Sequence, residues 1–215
     1  MGTESYITFF IAMLAIMNPI GNIAIFVSLL ADRTDAEQKA QARQAAISIA
    51  VVLILITWAG NNILAFFGIT SEAFESAGAL IIMLLGLSMM KGHDDSKSGH
   101  SDIHYSKEEH QLALKRESIA VVPMCIPIVA GPGAITTIIV HSHTFSSMLQ
   151  KGVLSLICLL LALILFTCFY FSGKIKGWVG DSGMKITTRI MGLVLTAIAF
   201  QMLGNGLKGM FPAWA

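Results

Sequence analysis

Residues 6–30 read YITFFIAMLAIMNPIGNIAIFVSLL, an apolar run without a formal charge, interrupted at Met17-Asn18-Pro19-Ile20-Gly21-Asn22. A helix needs roughly 20 apolar residues to cross about 30 Å of hydrocarbon. The run is therefore long enough to span a membrane, and its interruption falls near the middle. No basic cluster precedes it and no small-residue cleavage site follows, so it is expected to remain as a span rather than leave as a signal peptide.

Working outward, five more stretches come close to that length: 44–67, 73–90, 118–141, 152–171 and 186–210. Over half of the 215 residues are hydrophobic and only 13% are charged, against about 25% in a soluble domain. A chain this apolar needs lipid as its solvent. The net charge of +1 gives no reason to expect a nucleic-acid partner. Cys125, Cys158 and Cys168 all lie inside apolar runs, are odd in number and show no metal-ligand spacing.

Lys and Arg placement sets orientation. Twelve of the 14 cationic residues fall in the linkers after spans one, three and five or at the start of span six: Arg33, Lys39, Arg43, Lys91, Lys97, Lys107, Lys115, Arg116, Lys174, Lys176, Lys185 and Arg189. Only Lys151 and Lys208 lie on the other side. The pattern places both termini in the periplasm and the long third linker in the cytoplasm of a bacterial inner membrane.

Sliding the second half over the first aligns Pro19 with Pro132, Gly78 with Gly192 and Gly92 with Gly206. Each half has three spans, so the second copy enters from the opposite face. The predicted fold is all-α and integral to the membrane, with six transmembrane helices in two inverted three-helix repeats. The repeats occupy 1–91 and 118–215, joined by a hydrophilic linker at 92–117. In secondary transporters of this design the substrate site lies near the midplane, at the repeat interface.

The matching prolines locate that site. Proline lacks an N–H and clashes with the carbonyl four residues back. Helices one and four are therefore expected to break, Asn18 capping a half-helix that starts at Pro19 and Gly131 capping one that starts at Pro132. A helix start exposes unpaired N–H groups and a partial positive charge, which suits a carboxylate. Candidate substrate-binding residues are Asn18, Pro19, Ile20, Gly21 and Asn22 in the first break, Gly131, Pro132, Gly133, Ala134, Thr136 and Thr137 in the second, and Gln201 in span six. Pro123 and Pro127 read as a further distortion of span four, and Glu75 and Arg189 as interfacial anchors.

No Asp, Glu, Lys or Arg occupies the centre of any span, whereas proton relays and cation paths usually carry them. The expected substrate is a small zwitterion, with no cofactor and no bound metal. The residues leave the coupling ion, proton or sodium, open, and leave a homo-oligomer open as well. The linker around His93, His100, His104 and His110 reads as a solvated connector. Zinc-protease and nucleophile-elbow motifs are lacking, so no enzyme is expected. A channel or exporter for other small solutes, drug-like compounds included, and a non-transporting scaffold stand as alternatives.

The chain resembles the MarC family of bacterial inner-membrane proteins. The resemblance rests on Asn18-Pro19-Ile20-Gly21-Asn22, the segment from Arg116 to Pro123, the run from Ile126 to Ile135, and Thr188-Arg189-Ile190-Met191-Gly192-Leu193. It implies a six-span protein from a family that includes transporters of glycine, alanine and similar neutral amino acids. Where that family often has an arginine in span three, this chain has Glu75.

Overall fold

The structure is a computed structural model, and it describes residues 3–30, 33–91, 129–145 and 147–211. Among the described residues seven helices follow one another: α1 (Thr3–Met17), α2 (Pro19–Leu29), α3 (Asp35–Phe67), α4 (Ser71–Lys91), α5 (Pro132–Thr144), α6 (Met148–Tyr170) and α7 (Ser172–Met210). No strand occurs among the described residues. Among the described residues five stretches are long and apolar enough to cross a membrane: α1 with α2, α3, α4, α6, and α7 from Ser182. Of the fourth expected span the described part is α5, which at 13 residues is too short to cross alone. Pro123, Pro127 and the linker histidines lie outside the described residues.

The helices are turned inside out relative to a water-soluble bundle. On α3 the exposed side chains include Ile47, Val51, Leu55 and Trp58, while the buried face is Ala42, Ala45, Ile49, Leu53, Thr57 and Gly60. On α4 Leu80 and Leu84 face out, and Ser76, Gly78, Ala79 and Gly86 face in. Exposed large apolar residues and small residues at the helix contacts suit lipid, because apolar contact gains little over lipid tails and close backbone packing gains more.

The closest packing joins α4 to α7. A methyl group at Gly86 would fall 2.7 Å from the Gly192 carbonyl, and one at Gly192 would fall 2.6 Å from the Gly86 carbonyl. Gly206 meets Ser76 of α4 in the same way, so the two helices run antiparallel. A second antiparallel pair is α3 with α6, where the Trp58 indole N–H donates to Ser155 Oγ at 3.1 Å and Thr57 Oγ1 sits 3.9 Å from Cys158 Sγ.

The first span breaks where the sequence indicates. α1 ends at Met17, α2 begins at Pro19, and between them Asn18 adopts φ 38°, ψ 64°. It is the only non-glycine residue with positive φ among those described. Asparagine tolerates this left-handed region because its short amide can bond locally. Here Asn18 Oδ1 accepts from the Gly21 N–H at 3.2 Å, while Asn22 Nδ2 donates back to the Met17 carbonyl at 2.8 Å. Backbone groups freed by Pro19 are thus partly re-satisfied inside the span, as a lipid setting demands.

Two connections differ from the polar linkers expected. Thr34 and Glu37 form a capping box, Glu37 accepting from the Thr34 N–H at 2.8 Å, and this starts α3 nine residues before the expected span. Ser172–Val179 is also helical and meets the last span at Gly180, whose φ of 67° allows the change of direction. Trp178 is almost fully exposed there, beside Lys174 and Lys176, a composition that suits the membrane interface.

Two substitutions test this packing in detergent-solubilised protein. Asn18→Ala, which loses both the cap and a residue tolerant of positive φ, should lower stability by about 1–3 kcal/mol, with Asn18→Gly intermediate; equal melting midpoints for all three would refute the assignment. Gly86→Leu should cost about 1–3 kcal/mol by forcing α4 from α7. Gly152→Leu, at a site with nothing within 4 Å, should leave the midpoint in place.

Candidate functional site

Both helix starts lie at one depth. α1 and α5 run antiparallel, with Tyr6 stacked on Phe145 at 4.5 Å and Phe9 against His141 at 5.0 Å. Gly133, in the first turn of α5, packs beside Ile16 at the end of α1 and Ile82 of α4. The start of α5 is therefore within a turn of the α1–α2 break.

The two starts differ in what they leave free. At α2 Asn18 caps the half-helix as the sequence indicates, its side chain accepting from the Gly21 N–H, so that amide is already taken. At α5 Gly131 has no side chain with which to cap, and its carbonyl accepts from the Ile135 N–H at 3.1 Å as the helix begins. Thr136 and Thr137 turn their hydroxyls back on their own helix, donating to the Pro132 and Gly133 carbonyls at 2.9 Å.

The expected residues scatter in exposure. Asn18, Pro19, Asn22, Gly133, Ala134, Thr136 and Thr137 are buried, Gly21 and Gly131 half-buried, and Ile20, Pro132 and Gln201 exposed. Gly21 packs under Thr188 of α7, and Gly78 of α4 packs under Thr136. Of the whole set, Thr137 and Gln201 share a cavity.

That cavity holds about 660 Å³ and lies between α1, α4, α5 and α7. Its polar lining includes Thr8, Glu75, Thr137, His141, Gln201 and Asn205. Thr137 is its innermost polar residue on α5, one turn beyond Gly133; Thr144 and Asn205 stand at the end of the bundle where α1 begins. On the far side of the breaks the bundle is packed: Phe26 stacks on Phe169 at 4.5 Å, and Ile23, Leu30 and Met184 are buried.

Sequence reasoning left Glu75 and His141 out of the candidate site. Glu75 is half-buried and lines the cavity. The His141 Nδ1–H donates to the Thr137 carbonyl at 2.9 Å, which leaves Nε2 to accept when the ring is neutral. The available signal was position: Glu75, Gln201 and His141 fall in the same half of their respective spans.

Comparison with known proteins agrees in length and class. Residues 3–211 match the model of the MarC family integral membrane proteins. Among curated relatives, the UPF0056 membrane protein YhcE of Escherichia coli is 33% identical over 207 residues, covering 96% of this chain and 94% of that one. YvbG of Bacillus subtilis is 35% identical over 204 residues, 94% of each chain. The archaeal PH0760 of Pyrococcus horikoshii is 32% identical over 208 residues, 97% of this chain and 96% of its own, so relatives extend beyond bacteria. No solved structure matches. With the family match running almost from end to end over a bundle of apolar helices, the chain belongs to the MarC family of integral membrane proteins.

Proposed function

We propose that the protein is a secondary transporter of small neutral amino acids such as glycine and alanine, working by alternating access across the bacterial inner membrane with both termini in the periplasm. The observation that carries the reading is the cavity: its lining runs from Ser5 and Asn205, at the end where α1 begins, to Thr137, one turn from a helix start, and beyond the breaks the bundle is filled by packed aromatic and aliphatic side chains. A carrier caught facing one side has that form. A pore that conducts would be open through both ends.

Pairing of the helices supports two inverted repeats of three spans. α4 lies against α7 and α3 against α6, each antiparallel, while α4 covers α5 and α7 covers α2. Exchanging the two halves reproduces this set of contacts. On this reading α5 is the second half-helix of the fourth span. Two half-helices starting near the midplane, one of them uncapped by any side chain, suit a substrate carboxylate. The amino-acid class rests on the family resemblance, and a cavity lined by amides, hydroxyls and one carboxylate is consistent with it.

Transport follows as one repeat rocks against the other, with the glycine contacts between α4 and α7 as the bearing. Uptake of labelled glycine or alanine into liposomes containing the pure protein, under imposed proton or sodium gradients, tests this. Preloading with unlabelled substrate should accelerate uptake, and a pore would show no acceleration. Pro132→Ala, which lets the fourth span continue as helix, should reduce uptake several-fold at unchanged protein level. Gln201→Leu should raise the apparent KM about fivefold, the equivalent of one lost hydrogen bond of about 1 kcal/mol. No uptake of any amino acid under either gradient would end the proposal.

A further inference from the structure

Glu75 is a carboxylate inside a membrane-spanning helix, and such groups ordinarily have a cation or a network to hold them. Among the described residues it has neither. The ion pair found there is Arg33–Glu37, at the opposite end of the bundle. The cations at Glu75's own end, Lys151 and Lys208, do not line the cavity. The nearest charge on its own helix is Glu72, one turn away and of like sign, with its stem packed on Gly209 of α7.

The remaining polar groups around the cavity can all accept a hydrogen bond. His141 presents Nε2 from α5, since Nδ1 is committed to the Thr137 carbonyl. Gln201 and Asn205 lie one turn apart on α7, and Thr8 faces them from α1. A carboxyl group with no cation beside it, set among neutral acceptors, suits a cation that can donate several hydrogen bonds.

We infer that this vestibule is a binding site for a primary ammonium group, with Glu75 as the counter-charge and His141, Gln201 and Asn205 as hydrogen-bond acceptors. It is distinct from the helix-start site proposed above. Thr136 packs on Gly78, so Glu75 stands one turn outward of that level and Gly133 one turn inward, roughly 9 Å apart in depth at about 1.5 Å per residue. An α-amino acid carries both charged groups on one carbon and cannot bridge them. The vestibule therefore acts first, drawing in solutes with a free amine before the carboxylate reaches α5. A cleft of one sign of charge with low-dielectric walls raises the local concentration and entry rate of its counter-ion.

The site can be read without transport. A cysteine is placed in the cavity wall as Ile198→Cys, in full-length protein whose Cys125, Cys158 and Cys168 are replaced by alanine. Its rate of modification is then compared between ethylammonium and ethylsulfonate methanethiosulfonates. The cationic reagent should react at least about tenfold faster once intrinsic reagent rates are divided out. Glu75→Gln should bring the ratio near one, and Glu75→Asp should keep it; the aspartate variant guards against misfolding as the cause. Free ethylammonium should slow labelling in the parent, and sodium or choline at equal ionic strength should not. A ratio near one in the parent, a cysteine inert to both reagents, a ratio unchanged by Glu75→Gln, or equal protection by sodium would each overturn the inference. Charge selectivity without amino-acid uptake would leave the vestibule standing and remove the transport reading instead.

Discussion

Everything in this molecule answers to one constraint: a peptide group placed in hydrocarbon has no water to bond, so each N–H and C=O needs a partner within the protein. Continuous helices meet it automatically. Breaking a helix at mid-membrane does not, and the break in the first span persists because Asn18 and Asn22 supply two of the missing bonds from their side chains. The same constraint makes the start of α5 notable, because glycine at its cap position supplies nothing.

Lipid also dictates how the spans adhere. With Leu and Ile directed outward, cohesion comes from backbones brought into close contact, and glycine makes that possible at Gly86, Gly192 and Gly206. Such a seam between α4 and α7 is tight but narrow, and leaves room beside it for a cavity walled by α1 and α5. Packing near the breaks follows the same rule, Gly21 under Thr188 and Gly78 under Thr136. Small residues are thus concentrated where two halves of the molecule would have to slide past each other.

Polar side chains divide into two groups by what they bond. Thr57, Thr136, Thr137 and Ser142 return their hydroxyl protons to carbonyls of their own helices, which removes their burial cost. Glu75, Gln201 and Asn205 face the cavity. The first group is satisfied within its own helices, Thr137 while also lining the cavity, and the second gives the cavity its chemical character.

Five of the spans, the break at Asn18-Pro19 and the family were legible in the sequence, because hydrophobic length, proline's missing donor and a run such as Asn18–Asn22 are properties of neighbouring residues. The capping box at Thr34 and Glu37 was equally local, and carried α3 further than hydropathy alone indicated. What the sequence could not supply was distance between helices. That Glu75 lines a cavity, and that His141 and Gln201 come to the same space, depend on how four helices rotate about their axes. That rotation is set by which small residues pack backbone to backbone, a many-body choice that no single segment encodes, so the walls of the cavity were decided only in the assembled bundle.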